Sequence, residues 1–591
     1  MKNAKFLFRF IKPHFVSYFL GLLVLGIVDY ASLFVPKITG ELVDGLESNA
    51  MGMDGVMNCI YRILLVGAIM MVGRFLWRIF LMLTARKVEY DIRNELFKHL
   101  ETMDVEYYNE HKVGGLMAHF TQDLSAVRQA LGPAVLSAFD ATVMAAMVII
   151  RMLRTANFRL TGIIIIPMLC IMLGELWFGK WVHKVYKRMQ KAFEDLSDFV
   201  QESISGARVI KAFVREKAEG EAFEKQNALT RAKNMYFMKM IAIEDPILRF
   251  VIGLSSLITL FVGGKMVLRG NLSLGSFVAF TQYIAMLVWP MIAAGDAINM
   301  FSRGTASISR LNDIFESTSE VQSESPEDVP DEEIRTFKGE ITFKDLTFIH
   351  RDHLEPTLKH ISLDIKPGTT VAVIGRTGSG KSTLVNLLLH LYQVNRGMIF
   401  FDGKDIRDIP LNELRNNIAY VPQDNFLFSD TLENNIAFSV GKASRESVRK
   451  AAKQACIDEA IMEFPENYET VVGERGVTLS GGQKQRSSIA RALIKDAPIL
   501  ILDDSLSAVD TDTEEKILKN LKEVRAGRTT IIIAHRITTI QNADVIMVID
   551  EGELAECGNH HELMQLNGIY KDMFDKQQLE AMKASQEGGI A

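Results

Sequence analysis

Six runs of roughly 20 mostly apolar residues fill the first half of this chain, and a run of about that length is what an α-helix needs to cross a hydrocarbon core. They fall near 15–36, 56–83, 132–153, 160–182, 247–268 and 274–300, several of them interrupted by polar residues. The second half has no such runs and is patterned like an ordinary globular domain. At 591 residues the chain is too long for one compact core, so at least two domains are expected. A composition of 48% hydrophobic and 23% charged residues suits neither a purely soluble protein nor a pure membrane bundle.

The segments between the runs are lopsided. Those after the second and fourth are long, helical in pattern and rich in Lys and Arg, whereas those after the first, third and fifth are short. The positive-inside rule therefore places the long segments, both termini and the second half in the cytoplasm, with the chain a multi-pass protein of the cell membrane. Before the first run, Phe6, Leu7, Phe10 and Ile11 alternate with Lys5, Arg9 and Lys12 as in an interfacial amphipathic helix. A cleaved signal peptide is not expected, because the first run is too long and more spans follow. The net charge of −6 gives no argument for nucleic-acid binding. Cys59, Cys170, Cys456 and Cys557 form no CxxC pair and read as ordinary buried thiols.

Charges inside membrane spans are costly and usually face protein or a wet cavity. Arg74, Arg78, Asp140, Glu175 and Asp296 fall toward the cytoplasmic ends, where pairing or helix extension explains them as readily as a polar cavity. Asp29 lies deep in the first span without an obvious local partner. In the last span Gln282, Met286, Trp289, Ala293, Asp296 and Met300 share one helical face. Asp29, Asp140, Gln282, Trp289 and Asp296 are therefore the candidates for a substrate path, with a helix-packing seam as the competing account.

Residues 317–332 are rich in Ser and Glu, carry Pro326 and Pro330, and read as a linker. After it, a β-type run at 370–374 leads into Gly375-Arg376-Thr377-Gly378-Ser379-Gly380-Lys381-Ser382, followed by Thr383 and a helix-like stretch to Leu391. Strand, glycine-rich loop and helix in that order make a phosphate-binding loop. Its N–H groups cradle phosphates, Lys381 adds positive charge at the β/γ-phosphates, and the Ser382 hydroxyl can ligate Mg²⁺. A second β run, 499–502, ends in Asp503-Asp504, a carboxylate position suited to Mg²⁺. A third, 530–534, ends in His535. Such runs fit an α/β sheet that binds its ligand at the strand carboxyl ends.

About a hundred residues past the loop stands Leu479-Ser480-Gly481-Gly482-Gln483. Loop and pentapeptide in this order resemble the ATP-binding-cassette (ABC) family, with 338–575 similar to its nucleotide-binding domain and 1–575 to an exporter half-transporter. The expected fold is an all-α six-helix transmembrane domain with long cytoplasmic extensions (1–315), an acidic linker (316–337), an α/β P-loop ABC domain (338–575) and a polar tail (576–591). The resemblance implies ATP and Mg²⁺ as cofactors and assigns further roles. His350 stacks on adenine where the family usually has Tyr. Gln423 senses Mg²⁺ and the membrane domain. Gly473-Glu474-Arg475-Gly476 meets the coupling helices, which would lie near Tyr107-Tyr108-Asn109-Glu110 and within 206–213. Ser507 and Asp510 belong to a loop crossing to the opposite site, and His535 is the switch histidine. The pentapeptide itself acts on the ATP of a second chain, so a partner half-transporter is required.

One departure matters most. The residue after the Mg²⁺ aspartate is usually Glu in active family sites, and here it is Asp504, one methylene shorter. A misplacement of about 1 Å can cost on the order of a hundredfold in rate. An intact pentapeptide beside a shortened carboxylate resembles one subunit of bacterial heterodimeric multidrug exporters, the partner of which keeps the Glu and has an altered pentapeptide. The expectation is ATP-driven export of small amphipathic or hydrophobic molecules through the lipid bilayer. Lipid or peptide export, by a homodimer or a heterodimer, and a non-transporting regulatory ATP-binding subunit are the alternatives.

Overall fold

A computed structural model describes the chain except at residues 1, 156–157, 322–329, 331–333, 352, 474–478 and 588–591. The chain forms two compact units, Met1–Thr102 with His111–Thr318, and Met103–Glu110 with Ser319–Ala591.

The first unit is helical. Its six apolar helical stretches are Lys5–Glu47, Met53–Glu101, Val113–Thr155, Phe158–Ser205, Glu216–Leu268 and Leu274–Glu316. At 1.5 Å per residue a 48-residue helix runs about 72 Å, more than twice the hydrocarbon thickness. The helices therefore extend well beyond the bilayer, as the long polar segments required. The amphipathic N-terminal helix is present at Lys2–Ile11. A core of Phe280, Tyr283 and Leu287 from the last span packs against Val148, Leu160 and Ile164. First and last spans meet through glycines, and a Cβ on Gly275 would lie 2.0 Å from the Gly40 carbonyl oxygen. Asp44 completes that contact by accepting from the Gly275 N–H (2.6 Å) and the Ser273 hydroxyl (2.8 Å). Two of the six stretches carry three π-type turns, Ile79–Leu83 in the second and His119–Asp123 and Asp140–Met144 in the third.

Two expectations are adjusted here. Among the cysteines only Cys59 is buried; Cys170 and Cys557 are exposed and Cys456 is half-buried, all four as free thiols. The helix after the phosphate loop spans Lys381–Leu388, short of Leu391. Two residues beyond its end, His390 turns to a left-handed φ of +48°.

The second unit is α/β. Strands β1 (Ile341–Phe348), β2 (Leu358–Ile365), β4 (Ile399–Phe401) and β5 (Lys404–Asp405) form one sheet in the order β2-β1-β4-β5. Strands β3 (Thr370–Gly375), β6 (Ile418–Val421), β7 (Ile499–Asp503), β8 (Thr529–Ile533), β9 (Val545–Asp550) and β10 (Glu553–Gly558) form the other, ordered β10-β9-β3-β8-β7-β6. All its pairings are parallel except β10 with β9. β7 and β8 are buried throughout, which suits their apolar stretches Ile499–Leu502 and Ile531–Ile533. This sheet sets the carboxyl ends of β3, β6, β7 and β8 along one edge. The polar residues from 576 continue a helix, Ile569–Glu587.

Candidate nucleotide site and membrane cavity

β3 delivers the chain to Gly375, where a Cβ would sit 2.1 Å from the Ile549 carbonyl oxygen of β9. The backbone then turns through left-handed Gly378 and Gly380, at φ +83° and +97°. Lys381, 6% exposed, donates from Nζ to the carbonyls of Gly375 (2.9 Å) and Arg376 (2.7 Å). Burial pulls its pKa down, against the opposing pull of Asp503 and Asp504. The Ser379 hydroxyl is buried without a partner among the described residues, as suits a group that meets phosphate. The ring of His350 stands edge-on to Phe348 and Tyr392, at 4.9 and 5.1 Å, with Nε2 3.3 Å from the Thr383 hydroxyl. Burial and the neighbouring His353 push its pKa below the usual histidine value, which favours a neutral ring.

At the end of β7, Asp503 is 3% exposed and accepts from the Ser382 hydroxyl at 3.5 Å. Burial raises its carboxyl pKa, with Ser382 acting the other way. Two hard oxygens this close fit a Mg²⁺ ion, which Ser382 and Asp503 would help to hold and which would neutralise phosphate charge. Gln423 lies exposed just beyond β6, the strand paired to β7. Asp504 takes a left-handed φ of +44°, a region that Asp enters more readily than most residues. Its N–H donates to the Ile533 carbonyl at 3.0 Å, which ties it to the end of β8. Asp504, Ser507 and His535 line one hollow of about 150 Å³.

Leu479 is buried, and Ser480 caps the helix Gly481–Leu493. The Ser480 hydroxyl accepts from the Gln483 N–H (3.3 Å), and Gln483 Oε1 accepts from the Ser480 N–H (3.0 Å). This reciprocal cap leaves the N–H groups of Gly481 and Gly482 at an exposed helix N-terminus, which favours an anion. Among the described residues no hydrogen bond or ion pair joins 479–483 to 375–383. Asp510 caps the helix Thr511–Val524 through the Thr513 N–H (2.9 Å), and bonds from Thr513 hold its carboxyl below the usual pKa. Gly473 is described, but Glu474, Arg475 and Gly476 lie outside the described residues.

Three connections were missed by sequence reasoning. Buried Gln485 donates to the Ser507 hydroxyl (3.2 Å) and the Asp504 carbonyl (3.4 Å) and accepts from the Ala508 N–H (2.9 Å). It makes one body of the helix after the pentapeptide and the turn after β7. Gln577 donates to the His535 carbonyl (2.7 Å) and accepts from the Ile537 N–H (2.9 Å). The short helix Val105–Glu110 belongs to this unit: Asn109 reaches the Tyr392 hydroxyl at 3.4 Å, and Arg351 pairs with Glu320 (3.1 Å) and Glu110 (3.7 Å). The other short helix, Ala207–Ala212, lies in the first unit.

In the first unit the first, second, third and last spans enclose a cavity of about 590 Å³. Asp29, Asp140, Gln282 and Trp289 all line it, as do Arg74 and Arg78. Asp296 does not, and it is exposed elsewhere. Trp289 Nε1 donates to Asp140 Oδ2 at 3.1 Å. The side chain of Glu175 lies outside the described residues.

A parallel sheet that gathers a phosphate loop, two acidic residues and a histidine on one edge, joined to six apolar helices, defines a membrane transporter driven by ATP hydrolysis. The chain belongs to the ABC transporter family: residues 18–291 match the ABC transporter transmembrane region and 358–507 the family described as ABC transporter. It is similar to the probable multidrug resistance ABC transporter ATP-binding/permease protein YheI of Bacillus subtilis, 37% identical over 98% of both chains. It is also similar to the multidrug resistance-like ATP-binding protein MdlA of Escherichia coli, 36% identical over 94% of each. The ATP-dependent lipid A-core flippase of Idiomarina loihiensis is 34% identical over 97% of each. Among solved structures, a bacterial Atm1-family ABC exporter with ATP bound has a TM-score of 0.78 at 26% identity, covering 96% of this chain and 98% of the other. The chain is thus a multi-pass membrane protein that couples ATP hydrolysis to export.

Proposed function

We propose that the chain is the slow-site half of a heterodimeric exporter of small amphipathic or hydrophobic molecules in the cytoplasmic membrane, with its termini and ATPase unit in the cytoplasm. The carrying observation is Asp504 beside a complete, exposed Leu479–Gln483. In this reading Lys381, Ser379 and the loop amides hold the phosphates of one ATP, His350 stacks on its adenine, and Ser382, Asp503 and Gln423 hold Mg²⁺. The Mg²⁺ ion, when bound, neutralises phosphate charge. Asp504 orients the attacking water, with a reach roughly 1 Å short of the Glu it replaces, and His535 contacts the γ-phosphate. Gly481, Gly482 and Ser480 serve the partner's ATP, where a partner Glu performs faster hydrolysis. Ser507 and Asp510 link the two sites.

ATP closes the two ATPase units and hydrolysis reopens them, alternating access to the membrane path. Exposed Val209, Phe213 and Val214, at and just beyond the short helix of the first unit, support a second chain as their cover. The likeness to multidrug proteins supports drug-like cargo, and the likeness to lipid A-core flippases favours a second reading, homodimeric lipid export. The separating experiment is purification of the chain alone and with candidate half-transporters. Brisk, transport-coupled hydrolysis by the chain alone would overturn the heterodimer.

A further inference from the structure

The membrane cavity contains an unusual asymmetry of charge. Asp29 is only 7% exposed, lines the cavity, and its Oδ2 is buried with no hydrogen-bond partner among the described residues. A buried carboxylate oxygen left unmatched costs far more than one in water. The basic groups of the same cavity are placed differently. Arg74 and Arg78 are both exposed, and the Arg78 guanidinium lies 5.6 Å from the centre of the Trp77 ring. The second acid, Asp140, already accepts from Trp289 Nε1, which fixes an indole ring at the wall. Ser32, another lining residue, spends its hydroxyl on the Asp29 carbonyl (2.6 Å) and offers the carboxylate nothing. Two π-type turns frame the site: Asp140–Met144 supplies two of its lining residues, and Ile79–Leu83 begins immediately after Arg78. Such turns are frequent at functional sites.

We propose that this cavity is a site for a protonated amine, whose N–H donates to Asp29 Oδ2 while its apolar body rests on Trp289, Met144 and Met286. Asp29 is then a specificity-determining residue: it selects amines over neutral molecules of the same shape, and over quaternary ammonium ions, which have no N–H to donate. The inference rests on the export reading of the cavity and adds the chemistry of what enters it. Its volume, about 590 Å³, accommodates a compact drug-sized molecule.

The test uses the full-length chain in its assembled transporter, reconstituted in lipid nanodiscs, with binding read by quenching of tryptophan fluorescence. Three matched naphthyl compounds serve as probes: a primary amine, its trimethylammonium analogue and the corresponding alcohol. The amine is expected to bind tightest, and Asp29→Asn to weaken it by about tenfold to a hundredfold while changing alcohol binding by less than about twofold. An unchanged amine-to-alcohol ratio in that variant overturns the proposal, as does a quaternary probe that binds as tightly as the amine. Arg74→Gln removes the like charge and is expected to strengthen amine binding. A weaker amine in that variant would mean that positive charge at the wall does not oppose the ligand, and would overturn the amine site. Transport is measured separately. Charge-selective binding without transport would retain the amine site and sink the export reading, whereas transport of the amine at an Asp29-independent ratio would do the reverse.

Discussion

The phosphate loop and the pentapeptide Leu479–Gln483 are both glycine-rich stretches at helix N-termini, yet they are built for opposite situations. The loop is enclosed: Ser379 and Lys381 are 4% and 6% exposed, and the lysine is held by carbonyls of its own loop. The pentapeptide turns its Ser480 and Gly481 outward, and its reciprocal cap satisfies Ser480 and Gln483 with each other. One is finished as a ligand cradle within its own chain. The other is a rigid anion-facing surface that needs something brought to it, and rigidity comes from Gln485 behind it. In the proposed reading the two helix starts serve two different ATP sites.

The sharpest way to break this comparison is Gly481→Asp, which puts an anion at the exposed helix N-terminus. In the assembled transporter it should lower ATP turnover by about a hundredfold or more, the scale of losing charge stabilisation in a transition state. ATP binding at the loop of the same chain should persist, as read by photolabelling of this subunit. Loss of that labelling would mean that loop and pentapeptide serve the same nucleotide. The converse variant, Lys381→Met, removes a charged donor and should weaken ATP binding to this subunit by about tenfold to a hundredfold. If turnover of the assembled pair collapses less than its binding to this chain, the two sites are unequal as proposed.

Asp504→Glu tests the inequality directly. Restoring about 1 Å of reach should raise hydrolysis at this chain's site by about tenfold, below the hundredfold scale of a full misplacement. The gain is tempered because Asp504 sits at φ +44°, where Asp is better tolerated than a longer side chain. Single-turnover hydrolysis with the partner's site disabled measures it, and an unchanged rate would count against a slow site.

What was legible in the sequence was local. β3, β7 and β8 are visible as short, mostly apolar runs, and motif and position mark Lys381, Ser382, Asp503 and His535 at or just beyond their ends. The convergence of distant parts was not legible. Gln485 meets Ser507 across 22 residues and Gln577 meets His535 across 42, and neither glutamine sits in a pattern that periodicity or motif could single out. The membrane cavity lies between these cases. Asp29 and Asp140 stood out as costly charges in apolar spans, but their meeting depends on how four helices pack. Helical phase put Asp296 on the face of Trp289, yet the cavity takes only Gln282, Met286 and Trp289 from that face. Seven residues separate Asp296 from Trp289, about 10 Å along the axis, and a shared face says nothing of depth.

The smallest expected effect concerns Gln577, in a stretch that composition marks only as polar. Its amide bonds both sides of the peptide segment that carries His535, donating to the His535 carbonyl and accepting from the Ile537 N–H. The imidazole itself is exposed, so its orientation depends on the backbone that bears it. Gln577→Ala removes two neutral hydrogen bonds, each worth about 1 kcal/mol, from a half-exposed position where water can replace part of them. Turnover should therefore fall by only a few-fold, about two- to fivefold, with ATP affinity unchanged, because Lys381 and the loop do not touch Gln577. Gln577→Glu keeps an acceptor for Ile537 but loses the donor to His535. If the backbone of His535 is what matters, the Glu variant should be as slow as the Ala variant. If the Ile537 contact alone anchors the segment, the Glu variant should match the wild type, and the C-terminal helix would then act on His535 only through Ile537.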